Sequence, residues 1–188
     1  YRADPWTKKT LENGLNPELA AKAGNALQKY VIENTRLGIP LFLAEEAPHG
    51  HMAIGTTVFP TGIGMAATWS PVLIEEVGNV IAKEIRSQGA HISYGPVLDL
   101  SRDPRWSRVE ETFGEDPVLS GRLGAAMVIG LGSGDLSREY ATIATLKHFL
   151  AYAVPEGGQN GNYASVGTRD LHENFLPPFL EAIDAGAL

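Results

Sequence analysis

Charged and hydrogen-bonding side chains follow each of three short apolar segments in this sequence. The first segment leads into a run with two glutamates and two histidines at 45–51, and the second leads into an Asp- and Arg-rich run at 99–108. The third leads into Lys147 and His148, with a glycine-rich loop at 155–161. Carboxylates accept hydrogen bonds whereas Arg and Lys only donate them, so this mixture suits a neutral ligand with many hydroxyl groups, such as a sugar.

The helices that must position these residues have clear starting signals. Asn16, Ser70 and Asp116 are good N-caps, and each precedes a proline, which suits the first helical position because its missing N–H would be unpaired there. Apolar residues then recur at helical spacing, and a fourth helical pattern follows Thr168. Two prolines at 177–178 should kink this last helix.

Continuous apolar segments predict strands that are buried on both faces. They cover 39–44, 91–100 and 141–149. Their alternation with helices predicts a parallel sheet with helical crossovers, either a doubly wound sheet or an eight-stranded barrel. A full barrel takes about 250 residues, and a three-stranded parallel sheet would leave both edges unpaired. We therefore expect the remaining strands to come from another polypeptide or from another part of the same one.

The composition excludes several kinds of partner. Lys and Arg number 15 and Asp and Glu number 22, a net charge of −7, which gives no electrostatic basis for binding nucleic acid or an anionic membrane. No run approaches the roughly 20 apolar residues that a membrane span needs. The lack of Cys excludes disulfides and thiolate metal sites. No signal peptide is visible, but a chain that starts at Tyr1 can have lost one, and we expect a periplasmic or secreted location rather than the cytoplasm.

Several long motifs occur in one order from about residue 38 onward. They read IPLFLAEEAPHGH, TVFPTGIGMAATWSP, GPVLDLSRDPRWSRVEETFGEDP, TLKHFLAYAVPEGG and RDLHENFLPPFLEAI. Together they resemble glycoside hydrolase family 3, with Ser107 where that family usually has Gly. The resemblance implies that residues 1–188 are a partial N-terminal barrel domain, an α/β fold that is an incomplete part of a TIM-like (β/α)8 barrel.

The resemblance also implies roles for individual residues. In that family the terminal sugar is bound by the acidic residue before HG, by the second Arg of the DPRW segment and by the Lys-His pair, which are here Glu46, Arg108, Lys147 and His148. Three acidic residues are expected to hold Arg108 and its loop in place: Glu111, Glu115 and Asp116. No metal and no other cofactor is expected.

Lys147 and His148 pose a geometric problem, because neighbours on a strand point to opposite faces. Both side chains reach one pocket only if the backbone is distorted between them. The family has non-proline cis peptides at this point. The resemblance therefore implies a cis or strongly strained bond at Lys147–His148 or at His148–Phe149.

The residues that break the glycosidic bond are not expected within this sequence. A retaining glycosidase needs a nucleophilic carboxylate and an acid/base about 5–5.5 Å apart. In the family the nucleophile is an Asp in an SDW- or SDY-like motif after a later strand, and in most branches the acid/base lies on a second domain. Neither that motif nor the KHFPGHG-like motif of the β-N-acetylglucosaminidase branch occurs here.

The implied enzyme is thus a two-domain β-glucosidase or β-xylosidase, of which this chain supplies sugar-binding residues and no catalytic residue. Its substrates would be β-linked oligosaccharides, cut from the non-reducing end, or aryl β-glycosides. Its partner would be the remainder of the same enzyme. Many family members have Asp in place of Glu46, and the extra methylene should crowd the hydroxymethyl group of glucose by about 1–3 kcal/mol, which favours xylose without excluding glucose.

Two other functions remain open. His49 and His51 form the H-x-H pattern of amidohydrolase-like metal-dependent barrels, and His91 adds a third imidazole. That pattern is short, and Lys147 beside His148 would repel a metal cation. Because the nucleophile motif is absent, the chain could also be a non-catalytic sugar-binding or scaffold fragment.

Overall fold

The computed structural model describes residues 14–187. Its regular elements alternate between helices and short strands along the chain. Their bounds are α1 Pro17–Asn34, β1 Ala44–Glu46, α2 Gly62–Ala66, α3 Pro71–Ser87, β2 Ile92–Tyr94, α4 Pro117–Gly132, β3 Ile143–Ala144, α5 Thr168–Asp170 and α6 Pro177–Asp184. A π turn at Leu171–Phe175 joins the last two helices, and short 3-10 turns lie at Val109–Glu111 and Glu156–Gly158.

The three strands form one parallel sheet in the order β1-β2-β3. In register, Glu45 of β1 lies opposite Ser93 of β2, which lies opposite Ala144 of β3. Helices connect successive strands, as parallel pairing requires. The predicted α/β class and parallel sheet are therefore confirmed, and the carboxyl ends of all three strands meet at one edge.

The predicted helix starts are confirmed atom by atom. The side chains of Asn16, Ser70 and Asp116 accept hydrogen bonds from the backbone N–H three residues later, at 2.9, 3.3 and 2.8 Å. A proline occupies the first position of all three helices. These signals are local, so they operate whatever the rest of the chain does.

The predicted strand at 39–44 is wrong for all but its last residue. β1 covers Ala44–Glu46, and Phe42 within the predicted segment is 71% exposed. The backbone N–H and C=O of Leu41 instead bond to the side-chain amide of Gln28 on α1, both at 2.8 Å. A side chain thus satisfies the polar groups that strand pairing would have used, and apolar composition alone does not reveal this.

The other two strands are also shorter than predicted. β2 ends at Tyr94, because Pro96 has no N–H to donate to a ladder. β3 covers only two residues, and a single parallel bridge between Val97 and Lys147 continues the pairing. The strand ends therefore run into irregular backbone, which is where the charged residues sit.

The two prolines near the C-terminus interrupt a helical path, as predicted. The N–H of Leu176 bonds to the C=O of Leu171 at 2.9 Å, a five-residue step. Pro177 then opens α6 as its first residue. The missing N–H groups are accommodated by widening one turn and starting a new helix.

The core lies mainly between α3 and α4. Fully buried side chains from the two helices interdigitate, each contributing about 1.5–3 kcal/mol: Ile74, Ile81, Ile85, Leu123, Met127 and Leu131. At their crossing Gly78 faces Gly130, where a Cβ on Gly130 would lie 2.9 Å from the Cα of Gly78. The two backbones touch there, and only glycine permits that approach.

Candidate functional site

An ion pair joins the ends of the two outer strands. Glu46 is the last residue of β1, and its Oε2 accepts a hydrogen bond from Nζ of Lys147 at 2.8 Å. The Lys147 side chain is 12% exposed and that of Glu46 is 31% exposed. The pair is half-buried, so its charges attract each other more strongly than at an open surface.

Arg108 lies at the start of the 3-10 turn that follows the end of β2. Its Nε and Nη2 donate to the two carboxylate oxygens of Glu111 at 2.7 and 2.8 Å, a bidentate pair of fixed geometry. The bond to Glu111 raises the pKa of Arg108, so the guanidinium stays charged. Burial raises the pKa of Glu111, but the bonds and charge of Arg108, with a smaller contribution from Lys147, lower that pKa overall.

His148 is held between a carboxylate and a guanidinium. Its Nδ1 lies 2.6 Å from Oδ2 of Asp99, and the same oxygen accepts the backbone N–H of His148 at 3.0 Å. Its Nε2 lies 3.1 Å from Nη2 of Arg108. Asp99 was not among the residues predicted to form the site; its position at the end of an apolar run, GPVLD, is the signal in the sequence.

The backbone between Lys147 and His148 is cis, which confirms the first of the two predicted positions. A second non-proline cis bond lies at Phe149–Leu150, two bonds further along the chain. Lys147 contacts Glu46 while its neighbour His148 contacts Arg108. The side chains of these two neighbours thus reach residues of the same cluster, whereas on a regular strand they would point to opposite faces.

Tyr152, whose ring packs against this cluster, was not among the predicted site residues. Its ring lies 4.7 Å from the ring of His148 and 5.5 Å from that of buried Trp106, centroid to centroid. Cζ of Arg108 lies 5.5 Å from the centroid of the same ring, a cation–π contact. The indole N–H of Trp106 is fixed by Asn160 at 2.9 Å, so this aromatic packing is itself anchored.

A cavity of about 710 Å³ opens at this strand end, within the range of small-molecule sites. Its lining includes both charged and apolar side chains: Glu46, Pro48, His49, His51, Met52, Ala53, Ile54, Val58, Arg108, Glu110 and Glu111. Lys147 and His148 are not in that lining but bond directly to Glu46 and Arg108, which are. The four residues predicted to bind sugar therefore form one connected group.

Two of the predicted supporting residues are not brought to this group. Asp116 caps α4 through the N–H of Leu119, and Glu115 is exposed. Within residues 14–187, the polar partners of Arg108 are Glu111, His148 and Tyr152. The motif places five acidic or basic residues within nine positions, but only Glu111 lies at the spacing that turns its carboxylate back to Arg108.

Two of the three histidines of the metal-site alternative, His49 and His91, bond to backbone groups instead. His49 Nδ1 lies 3.1 Å from the C=O of Phe59, and His91 Nδ1 lies 3.2 Å from the N–H of Leu43. Burial lowers the pKa of His51. Within the described part of the chain, no group of three His, Asp or Glu residues is arranged to hold a metal ion.

Known proteins resemble this chain in both sequence and structure. The family model described as Glycosyl hydrolase family 3 N terminal domain matches residues 10–188. The chain is 35% identical over 161 residues to the periplasmic beta-glucosidase of Salmonella typhimurium, covering 86% of this chain and 20% of that protein. It is 41% identical over 158 residues to a beta-xylosidase of Formosa agariphila, covering 80% of this chain and 22% of that protein.

A solved structure gives the same result. A mutant beta-glucosidase from Listeria innocua in complex with laminaribiose superposes with a TM-score of 0.84 at 37% identity, covering 89% of this chain and 23% of that one. The chain thus spans about a fifth of the length of the curated relatives it matches. With its parallel strands, crossover helices and matched family model, this chain belongs to glycosyl hydrolase family 3, as part of the (β/α) barrel that forms the family's N-terminal domain.

Proposed function

We propose that this chain is part of an exo-acting, retaining β-D-glycosidase, a β-glucosidase or β-xylosidase, and that it binds the terminal sugar. The observation that carries this proposal is the connected group around the cavity, in which Lys147 pairs with Glu46 and His148 with Arg108. A pyranose ring presents adjacent hydroxyl groups, each both donor and acceptor. A carboxylate can accept hydrogen bonds from these hydroxyl groups, and a neighbouring cation can donate hydrogen bonds to them.

Three members of the group, Glu46, Arg108 and Lys147, have bonding capacity left for a ligand. Glu46 uses one carboxylate oxygen on Lys147, so Oε1 is available to accept from hydroxyl groups. Arg108 spends Nε and Nη2 on Glu111 and His148, while Nη1 has only a long 3.5 Å contact with the Tyr152 hydroxyl. Nη1 and the ammonium of Lys147 are then the donors presented to a sugar.

The bond-breaking carboxylates belong, in this proposal, to other parts of the enzyme. Hydrolysis with retention needs a nucleophile and an acid/base about 5–5.5 Å apart, and Glu45 and Glu46 are poor candidates. Glu45 is buried, and Glu46 is paired with Lys147. We propose that residues 1–188 are a partial barrel domain, completed by further barrel strands and joined to a second domain.

The relatives support this substrate class. Two of them are named beta-glucosidase and beta-xylosidase, and the Listeria innocua structure is a complex with laminaribiose. We propose β-linked oligosaccharides and aryl β-glycosides as substrates, with no metal in the reaction.

We also propose a periplasmic or secreted location, since one relative is named a periplasmic enzyme. Among residues 14–187, no helix is both long and apolar enough to cross a membrane. The question of an N-terminal signal falls on residues outside the described range.

The test uses the complete enzyme that contains this chain. Wild type should hydrolyse p-nitrophenyl β-D-glucoside or xyloside with retention, and Lys147→Ala should raise KM by about 10-fold or more, because a donor and the partner of Glu46 are both lost. Lys22→Ala removes an exposed lysine paired with Glu18 on α1 and should change nothing. Sugar binding without hydrolysis would instead favour a non-catalytic sugar-binding protein. If the protein neither binds nor hydrolyses sugar, the proposal is rejected.

A further inference from the structure

Asp99 is a buried carboxylate whose hydrogen bonds, within the described residues, all go to His148. Its side chain is 0% exposed, and its Oδ2 accepts both the Nδ1 proton and the backbone N–H of His148. Its other oxygen, Oδ1, is buried and has no hydrogen-bond partner within residues 14–187. Burying a carboxylate is costly unless its bonds repay the lost hydration. Every bond described for Asp99 goes to His148, so that is where its function lies.

The neighbours of His148 determine which ring nitrogen carries a proton. Oδ2 of Asp99 can only accept, so Nδ1 carries the proton that bonds to it. Nη2 of Arg108 can only donate, so Nε2 must be the acceptor at 3.1 Å. A second proton on Nε2 would set two donors and two positive charges against each other. The two contacts therefore fit an imidazole with its proton on Nδ1 and its lone pair facing Nη2 of Arg108.

We propose that Asp99 is a positioning residue that acts through His148 on Arg108. It fixes the tautomer and the orientation of the imidazole, and the imidazole with Glu111 fixes the guanidinium, which leaves Nη1 of Arg108 aimed at the sugar. The proposal rests on the proposed sugar-binding function. It adds that sugar affinity depends on a residue that does not itself line the cavity.

Two substitutions separate the acceptor oxygen from the negative charge. Asp99→Ala removes the acceptor, so Nδ1 loses the group that selects its proton. Asp99→Asn keeps an oxygen at the place of Oδ2, because the backbone N–H of His148 can only donate and excludes the amide nitrogen from that place. The amide nitrogen then takes the place of Oδ1, which has no hydrogen-bond partner to lose among residues 14–187.

The experiment uses the complete enzyme labelled with ¹⁵N-histidine. NMR distinguishes a protonated ring nitrogen from an unprotonated one, and a His148→Asn sample identifies the signals of His148. Calorimetric titration with glucose or xylose measures affinity. Ser120→Ala is the matched control, since Ser120 is also buried and, within the described part of the chain, its hydroxyl has no hydrogen-bond partner either.

We expect a protonated Nδ1 and an unprotonated Nε2 in wild type, in Asp99→Asn and in the control. Asp99→Ala should lose this pattern and bind sugar about 10-fold to 100-fold more weakly. An Nε2-protonated His148 in wild type, or wild-type affinity and tautomer in Asp99→Ala, would overturn the proposal. If Asp99→Ala does not fold, an Nε2-protonated His148 in Asp99→Asn overturns it equally. Failure of wild type to bind either sugar would instead reject the proposed function, while the tautomer still reports on Asp99.

Discussion

The ammonium of Lys147 lies 2.8 Å from the carboxylate of Glu46, although the two residues are 101 positions apart in the chain. Glu46 ends β1, and Lys147 lies beyond β3, so the pair spans the sheet across β2. Such a contact forms only when all three strands are paired in their correct register. The polar group at the cavity is therefore a product of the sheet and not of any one loop.

Glu46→Asp should shift sugar preference towards glucose. Shortening the side chain by one methylene makes room beside carbon 5 of the sugar, where glucose has a hydroxymethyl group and xylose has none. A change of this size is worth about 1–3 kcal/mol, so the ratio of kcat/KM for glucoside over xyloside should rise about 10-fold. Kinetics on the two nitrophenyl substrates measure it. Glu110→Asp, a control at the same cavity, should leave this ratio unchanged. An unchanged ratio in Glu46→Asp would contradict the assignment of Glu46.

Arg108→Lys should lower sugar affinity by about 10-fold or more, because an ammonium cannot reproduce the two parallel bonds to Glu111. Arg105→Lys is a close control from the same segment. Arg105 also holds a carboxylate, that of Asp103, but its side chain is largely exposed. Titration of both variants with glucose or xylose should separate them. Equal affinities in the two variants would show that Arg108 has no special part in binding.

Glu111→Gln should destabilise the protein at neutral pH but not in acid. The folded pKa of Glu111 is lowered below its ordinary value of 4.5, so its stabilisation is complete above that value and disappears as pH falls through the lowered pKa. We expect a difference in unfolding free energy of about 1–2 kcal/mol at pH 7 that shrinks towards pH 3.

Thermal unfolding of both proteins across that range provides the measurement. Glu173→Gln, which removes an exposed partner of Arg169, should give a small difference throughout. A gap for Glu111→Gln that stays constant with pH would contradict the role of the charge.

Gly62→Ala should destabilise the protein and weaken sugar binding together. A Cβ at Gly62 would collide with the carbonyl oxygen of Glu111 and lie 2.7 Å from that of Thr112. Overpacking of this kind costs about 1–3 kcal/mol, and it would push on the turn that starts from Arg108. Chemical denaturation and sugar titration measure the two effects. Gly132→Ala, where the added methyl finds ordinary contact with Leu136, should show neither.

Local signals made much of this fold predictable. The caps Asn16, Ser70 and Asp116 act through neighbouring backbone groups, so sequence alone identifies them. The convergence of Glu46, Arg108 and Lys147 was also predictable, because parallel strands present their carboxyl ends on one edge.

What escaped prediction depends on contacts distant in sequence. The segment at 39–43 is as apolar as a strand, yet Gln28 satisfies Leu41 and leaves Phe42 exposed. Asp99 and Tyr152 matter through His148, 49 residues away in the case of Asp99. No periodicity or spacing encodes such pairs. Asp116 was also expected to support Arg108, but within residues 14–187 the described partners of Arg108 are Glu111, His148 and Tyr152, and Asp116 acts as the cap of α4.

The contact between Gly78 and Gly130 in the core also affects the position of the strands. α3 runs into β2, and α4 runs into β3, so two helices meeting backbone to backbone fix the relative heights of the strands they feed. Arg108 follows one of these strands and Lys147 the other. A methyl group at the crossing would push the two helices apart. We expect this to displace Arg108 and Lys147 relative to each other. The close approach of the two glycines in the core thus helps to set the relative positions of Arg108 and Lys147 at the strand ends.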